Sequence, residues 1–174
     1  MKSFFIILIL FIVLISINFN IFKKEQTLSR GKSVFLQLAP VDPRSLMQGD
    51  YMVLNYKIAN ELINTRINLE VKSNTLKNSN SEIFPKDGFL VLTINDSGVG
   101  DFNRFYSENY NLEPNEILLK YRLRGNILKL GAESFFFQEG QSEKYSAAKY
   151  GELKVSADGE SILAGLRNER LEPM

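Results

Sequence analysis

Any chemistry in this chain must run without cysteine or histidine, since the sequence contains neither. That excludes disulfides, thiolate nucleophiles, imidazole bases, zinc fingers and haem ligation by histidine. Carboxylates, hydroxyls, phenols, ammonium and guanidinium groups remain, and three groupings of them stand out. Lys120, Arg122 and Arg124 alternate in the string KYRLR, and residues two apart on a strand share a face, so they form a basic stripe. It can pair with Asp42, Asp50 or Glu139 inside the fold, or with anionic headgroups outside it. Glu133 and Glu139 stand six apart across an apolar run and can face the same side. As a carboxylate pair they would be hydrolase candidates, but glycoside hydrolysis needs a separation fixed across a cleft, which spacing alone does not supply. Asn95, Asp96, Ser97 and Asp101 gather the oxygen ligands that calcium takes, yet they lack the spacing of an EF-hand loop and read as a solvated turn.

The charge balance narrows the partners. With 21 Lys and Arg against 20 Asp and Glu, the net charge is +1, and no global field steers a polyanion to the protein. Nucleic acid is therefore not an expected partner, and no cofactor is implied. The three consecutive rings Phe135, Phe136 and Phe137 read as core plus one outward ring, not as a platform for stacking bases.

These groups must be held by a domain, and the domain by an anchor. Ser3 is followed by twelve uninterrupted apolar residues, Phe4 to Ile15, and the apolar character persists to Phe22 before Lys23 and Lys24. A helix over residues 3–22 spans about 30 Å, the thickness of a hydrocarbon core, and no polar face is left for a soluble core. The lipid bilayer is thus one partner. Residues 18–22, Asn-Phe-Asn-Ile-Phe, make a poor cleavage site for signal peptidase, so the anchor is expected to be retained, as a signal-anchor. With no cysteine to acylate, a lipoprotein is excluded. Lys23, Lys24, Arg30 and Lys32 outnumber Lys2 and the terminal amine, so a literal positive-inside reading puts the large domain in the cytoplasm, by only a few charges.

The remaining residues, 174 in all less the anchor, suit one domain. The expected division is an anchor over 1–24, a polar stalk over 25–32 and a single compact, mainly β domain over 33–174. Strands are expected at Val34–Leu38, Tyr51–Ile58, Ile63–Val71, Phe89–Ile94, Ile117–Leu123, Ile127–Leu130, Ser134–Gln138, Glu152–Val155 and Ile162–Leu166. Ile63, Thr65, Ile67, Leu69 and Val71 alternate with Asn64, Arg66, Asn68 and Glu70, which is the strand period. Residues 73–87 read as a loop, 95–98 and Asp158-Gly159 as turns, and 101–113 as a short helix or irregular crossing. One helix is expected, over Gln141–Tyr150, with Gly151 as its C-terminal cap. A Rossmann-type sheet is excluded by so few helices.

The stretch Leu38–Tyr56, LAPVDPRSLMQGDYMVLNY, carries the most specific signal. Pro40 and Pro43 stiffen it, Asp42 can accept backbone N–H groups in a turn, and Gly49-Asp50 turns the chain into the strand at Tyr51. Gly49, Asp50, Tyr51, Leu54 and Tyr56, preceded by Asp42, Pro43 and Arg44, resemble the signature of the bacterial GDYXXLXY family. The likeness continues through the basic strand Lys120–Arg124 and through Gly131, Glu133, Ser134, Phe135, Phe136, Phe137, Glu139 and Gly140. It then runs to Tyr145, Ala148, Tyr150-Gly151 and Gly165-Leu166-Arg167, covering roughly residues 28–172. The resemblance implies no activity. Members look like single-pass anchored proteins, often encoded beside multi-pass membrane proteins, with the domain outside the cytoplasm. That implication outweighs the small flanking charge difference, because a folded domain can be translocated despite it.

A more distant likeness is to type I signal peptidases, whose nucleophile sits in a Ser-Met-x-Pro-x-Leu-x-x-Gly-Asp box just after an anchor. Leu46, Gly49 and Asp50 match the end of that box, and Lys120 and Arg122 lie on a strand comparable to the one bearing the general base. The nucleophile position is Val41, which cannot attack a carbonyl. A shifted Ser45–Lys120 dyad is the only such chemistry left. The expected function is therefore a membrane-anchored binding or accessory protein of the bacterial envelope. It would lie in the inner membrane with its domain in the periplasm or outside, working with a multi-pass partner. A hydrolase or degenerate Ser–Lys peptidase relative is the alternative.

Overall fold

In the computed structural model of the full chain, residues 2–39, 51–75, 85–109 and 111–174 are described. The first element, α1, is a single 29-residue helix over Lys2–Arg30. Every large apolar side chain from Phe4 to Phe22 is exposed, as a lipid-facing helix requires. The two asparagines that dilute the apolar run return their side-chain amides to the helix: Asn18 donates to the Leu14 carbonyl and Asn20 to that of Ser16, each at 2.8 Å. This satisfies polar groups that lipid cannot. The polar segment read as a stalk is mostly the continuation of the same helix. Its last turn closes where the Gly31 N–H bonds to the Thr27 carbonyl at 2.9 Å. A Cβ on Gly31 would run into that carbonyl oxygen and sit 3.1 Å from the backbone of Val155, so the helix joins the domain through a contact only glycine permits.

The domain is β-rich and curled. Strands β1 (Lys32–Gln37), β8 (Tyr150–Val155) and β9 (Ser161–Arg167) form an antiparallel three-stranded sheet in the order β1-β8-β9. Strands β3 (Asp87–Ile94), β4 (Gly100–Phe105), β5 (Glu116–Arg124) and β6 (Ile127–Lys129) form a four-stranded sheet in the order β4-β3-β5-β6. The two meet where Phe35 donates its N–H to the Gly98 carbonyl at 2.9 Å and pairs with Val99. Alternating inward residues from both sheets, including Val34, Leu36, Leu90, Leu92, Leu119, Tyr121, Leu153 and Val155, fill one core. A third, two-stranded ribbon joins β2 (Tyr51–Val53) to β7 (Ser134–Phe136).

Most expected strands are present, and the hairpin turns at 95–98 and 158–159 are where the sequence places them. Four expectations are corrected. Residues 63–71 are not a strand but part of α2, a helix over Lys57–Thr75. The polar–apolar alternation there is a coincidence of period; the buried residues Ile58, Ala59 and Leu62 follow the helical spacing and decide the outcome by packing. The expected strand Tyr51–Ile58 stops at Val53 for the same reason. Residues 100–105 form β4, not a helix or irregular crossing, with Phe102 and Phe105 set edge-on at 5.3 Å. The helix expected over 141–150 is a single turn, α3 (Ser142–Ser146), and Gly151 is not its cap but a strand residue paired with Leu36.

Candidate functional site

The segments that carry the family-like motifs come together on the β2–β7 ribbon. Tyr51 lies opposite Phe136, Met52 opposite Phe135 and Val53 opposite Ser134. Beyond the last pair, the Leu54 N–H donates to the Glu133 carbonyl at 2.8 Å, and the Tyr56 hydroxyl donates to the Ala132 carbonyl at 2.7 Å. The string Tyr51-Met-Val-Leu54-Asn-Tyr56 is thus closed against residues 132–136 along its whole length. Strand alternation sends Met52, Leu54 and Tyr56 inward, where all three are buried. Burial, helped by the nearby Glu133 charge, pushes the Tyr56 phenol far above its ordinary pKa, so the hydroxyl remains a donor at any physiological pH. The Tyr56 ring occupies space that a side chain at Gly151 would need: a Cβ there would meet it at 3.1 Å. This accounts for the Tyr150-Gly151 pair in structural terms, with Tyr150 half-buried at the start of β8.

Glu133 is committed to the fold. Its carboxylate accepts the N–H groups of Leu130 at 2.6 Å and Gly131 at 2.7 Å, which fixes the corner between β6 and β7. It is therefore engaged away from Glu139, which is exposed in the Glu139-Gly140 turn. The three phenylalanines divide as expected. Phe135 and Phe137 enclose Tyr145, with ring centroids 4.9 and 5.3 Å from it, while Phe136 points outward and is 74% exposed. Half-exposed Tyr51 leans on Phe136 at 5.6 Å. Tyr51, Val53 and Phe136 thus make an apolar outer face on the ribbon.

The basic stripe shares one face of β5, as its spacing requires. Lys120 pairs with Glu160, and Arg124 pairs with Asp87 at 3.1 Å. Arg122 is exposed. Asp42, Pro43, Arg44, Ser45, Gly49 and Asp50 lie outside the described residues. The turn at 95–98 is an asparagine turn, in which the Asn95 side-chain oxygen accepts the N–H groups of Ser97 at 3.0 Å and Val99 at 2.9 Å. Among the described residues, no group of three or more acidic side chains is placed to hold a metal ion.

Two ion pairs went unnoticed in the sequence. Glu152 on β8 is buried and receives the Arg167 guanidinium, whose Nε lies 2.9 Å from the carboxylate, while Arg167 also lies over the Phe35 ring at 5.8 Å. Glu116 at the start of β5 is buried and held by Arg104 in a two-pronged contact, by the Asn103 amide at 2.7 Å and by the Glu113 N–H at 3.0 Å. Both carboxylates alternate away from the core, opposite Phe35 and Thr93, and are covered by their own partners, which is visible only once the strand register is known.

The hydrogen bonds from Arg104, then that from the Glu113 backbone, hold the Glu116 carboxyl down at about 2 from an ordinary 4.5. A lowered carboxyl pKa stabilises the fold above the unfolded value and loses that effect as the proton returns. Thermal midpoints should therefore decline as pH falls from 4.5 towards 2, and Glu116→Gln should begin lower at neutral pH and decline less over that window. Parallel curves for the two proteins would contradict this role.

A β-rich domain carried on one apolar helix defines the class: a membrane-anchored protein whose domain stands beside the bilayer. Within that class the chain belongs to the GDYXXLXY protein family, whose model matches residues 13–166. It is accordingly a bacterial membrane-anchored protein with an extracytoplasmic domain. No curated protein and no solved structure matches the chain.

Proposed function

We propose that the protein is an accessory binding module of the bacterial envelope, anchored by a retained α1, that presents the outer face of the β2–β7 ribbon to a multi-pass membrane partner. The observation that carries this is the division of labour within one motif. Leu54 and Tyr56 are consumed by the core, whereas Tyr51 emerges on the surface against a ring that is 74% exposed. Among the described residues neither ring of this pair belongs to the core, and such pairs are the usual anchors of protein interfaces. The continuation of α1 to Arg30 adds only about 12 Å beyond the apolar stretch, which keeps the domain within reach of a neighbour's external loops. The rival reading, a hydrolase or a Ser45–Lys120 peptidase relative, draws no support from Lys120, whose ammonium is engaged by Glu160.

A photo-crosslinking phenylalanine analogue placed at position 136 in the native membrane should yield one discrete adduct with a multi-pass protein. Phe136→Ser should leave stability within about 0.5 kcal/mol of the parent, as exposed substitutions do. It should also reduce co-purification in mild detergent by roughly thirty-fold, the loss of about 2 kcal/mol typical of an aromatic anchor. A well-folded Phe136→Ser protein that retains its partner in full would refute the assignment of this face.

A further inference from the structure

We propose that the outer face of the β5–β6 hairpin rests on anionic headgroups of the same bilayer that α1 crosses. The residues from 25 onward hold 18 basic and 20 acidic groups, a net charge of −2, yet this one face is cationic. Lys120, Arg122 and Arg124 project from β5, and Lys129 projects from β6. Glu160 offsets Lys120, and Asp87 offsets Arg124. Asp87 sits across from Arg122 in register on β3 but gives its carboxylate to Arg124. Arg122 and Lys129, directly opposite one another, have no ion-pair or hydrogen-bond partner among the described residues. Like charges facing each other across a strand pair are unfavourable unless an outside anion joins them. Beside them, opposite Arg124, Ile127 is 62% exposed. Paired cations flanking an exposed aliphatic side chain match a lipid surface, where phosphate lies above hydrocarbon.

The position of this face relative to the membrane follows from a chain of contacts. The apolar stretch ends at Phe22, and the next residue, Lys23, lies 3.8 Å from the Asp158 carboxylate in the β8–β9 turn. A hydrogen bond from Ser156, and to a lesser extent the Lys23 charge, lowers the Asp158 pKa, so that the carboxylate stays ionised. The turn therefore lies within the headgroup layer, which extends roughly 5–8 Å beyond the hydrocarbon. The same turn is bonded to the hairpin. The Lys120 N–H donates to the Gly159 carbonyl at 2.8 Å, and the Ser161 hydroxyl donates to the Leu130 carbonyl at 2.7 Å. The cationic face thus adjoins the segment that touches the emerging anchor. This inference uses the anchor alone and is independent of any protein partner at the ribbon.

The absence of cysteine makes Ile127→Cys a unique labelling site in the full-length protein. With an environment-sensitive fluorophore at that position, one protein per nanodisc, emission should shift to the blue in discs containing phosphatidylglycerol and not in discs of phosphatidylcholine alone. Replacing Arg122 and Lys129 by glutamine should weaken the contact about five-fold for each cation removed. High salt should do the same to the unsubstituted pair, and Arg122→Lys with Lys129→Arg should keep the shift, which separates charge from folding. Equal emission in the two kinds of disc would overturn the proposal, as would a shift that survives loss of both cations. A full shift in neutral discs on adding inorganic phosphate would assign the face to a soluble anion and also overturn it.

Discussion

Tyr56→Ala should lower the unfolding free energy by about 3–5 kcal/mol, the range for truncating a buried aromatic residue. Three losses coincide at this position. The ring is 2% exposed and packs in the common core, so its removal leaves a cavity. The Ala132 carbonyl loses the donor now 2.7 Å away. Gly151, shaped to admit the ring, then borders an empty space. Tyr56→Phe separates these contributions: it keeps the packing, loses only the hydrogen bond, and should fall by about 1–2 kcal/mol. Denaturant unfolding of the full chain in micelles, followed by tyrosine fluorescence because the chain has 7 tyrosines and no tryptophan, measures both. A Tyr56→Ala protein within 1 kcal/mol of the parent would mean that the ribbon is not joined to the core as described.

Arg167→Met should be nearly as damaging, at about 3 kcal/mol, because it strands the buried Glu152 carboxylate on β8. It also removes the cation from the Phe35 ring, 5.8 Å away. The informative comparison is the double variant Glu152→Leu/Arg167→Met. Once both charges are gone no desolvated charge remains, and much of the lost stability should return. If the double variant unfolds as easily as the sum of the two single variants, the residues do not act as a pair. Arg167 belongs to the Gly165-Leu166-Arg167 string of the family likeness, so this cycle also tests whether that string serves the fold.

The motif residues divide along the same line. Leu54, Tyr56, Glu133, Tyr145 and Gly151 each have a definite structural partner or a buried place. Tyr51 and Phe136 lie outside that account, and for this reason they are the residues proposed to meet a partner. The strand-to-helix correction at residues 57–75 has a related origin. Ile63, Thr65, Ile67, Leu69 and Val71 alternate well, but Ile67 and Leu69 remain exposed, and the helix is chosen by Ile58, Ala59 and Leu62 meeting the core. An alternating pattern and a helical stripe overlap over so few residues that only the neighbouring sheet distinguishes them.

What the sequence determined by itself was whatever depends on local pattern or on composition. Twelve unbroken apolar residues dictate a helix that cannot be housed in a soluble core, because lipid offers the backbone no other partner. Alternation in KYRLR dictates a basic face, and the Asp158-Gly159 and Asn95–Gly98 strings dictate turns. What only the tertiary structure decided was pairing between segments far apart in the chain. It joined Tyr56 to Ala132, 76 residues on, and Lys120 to Glu160, 40 residues on. It buried Glu152 against Arg167 and set Arg122 opposite Lys129 across a hairpin. A charge or a ring acquires its role from what lies across from it, and strand register, fixed by the burial of whole faces, is set by the assembled core and not by any single stretch of sequence.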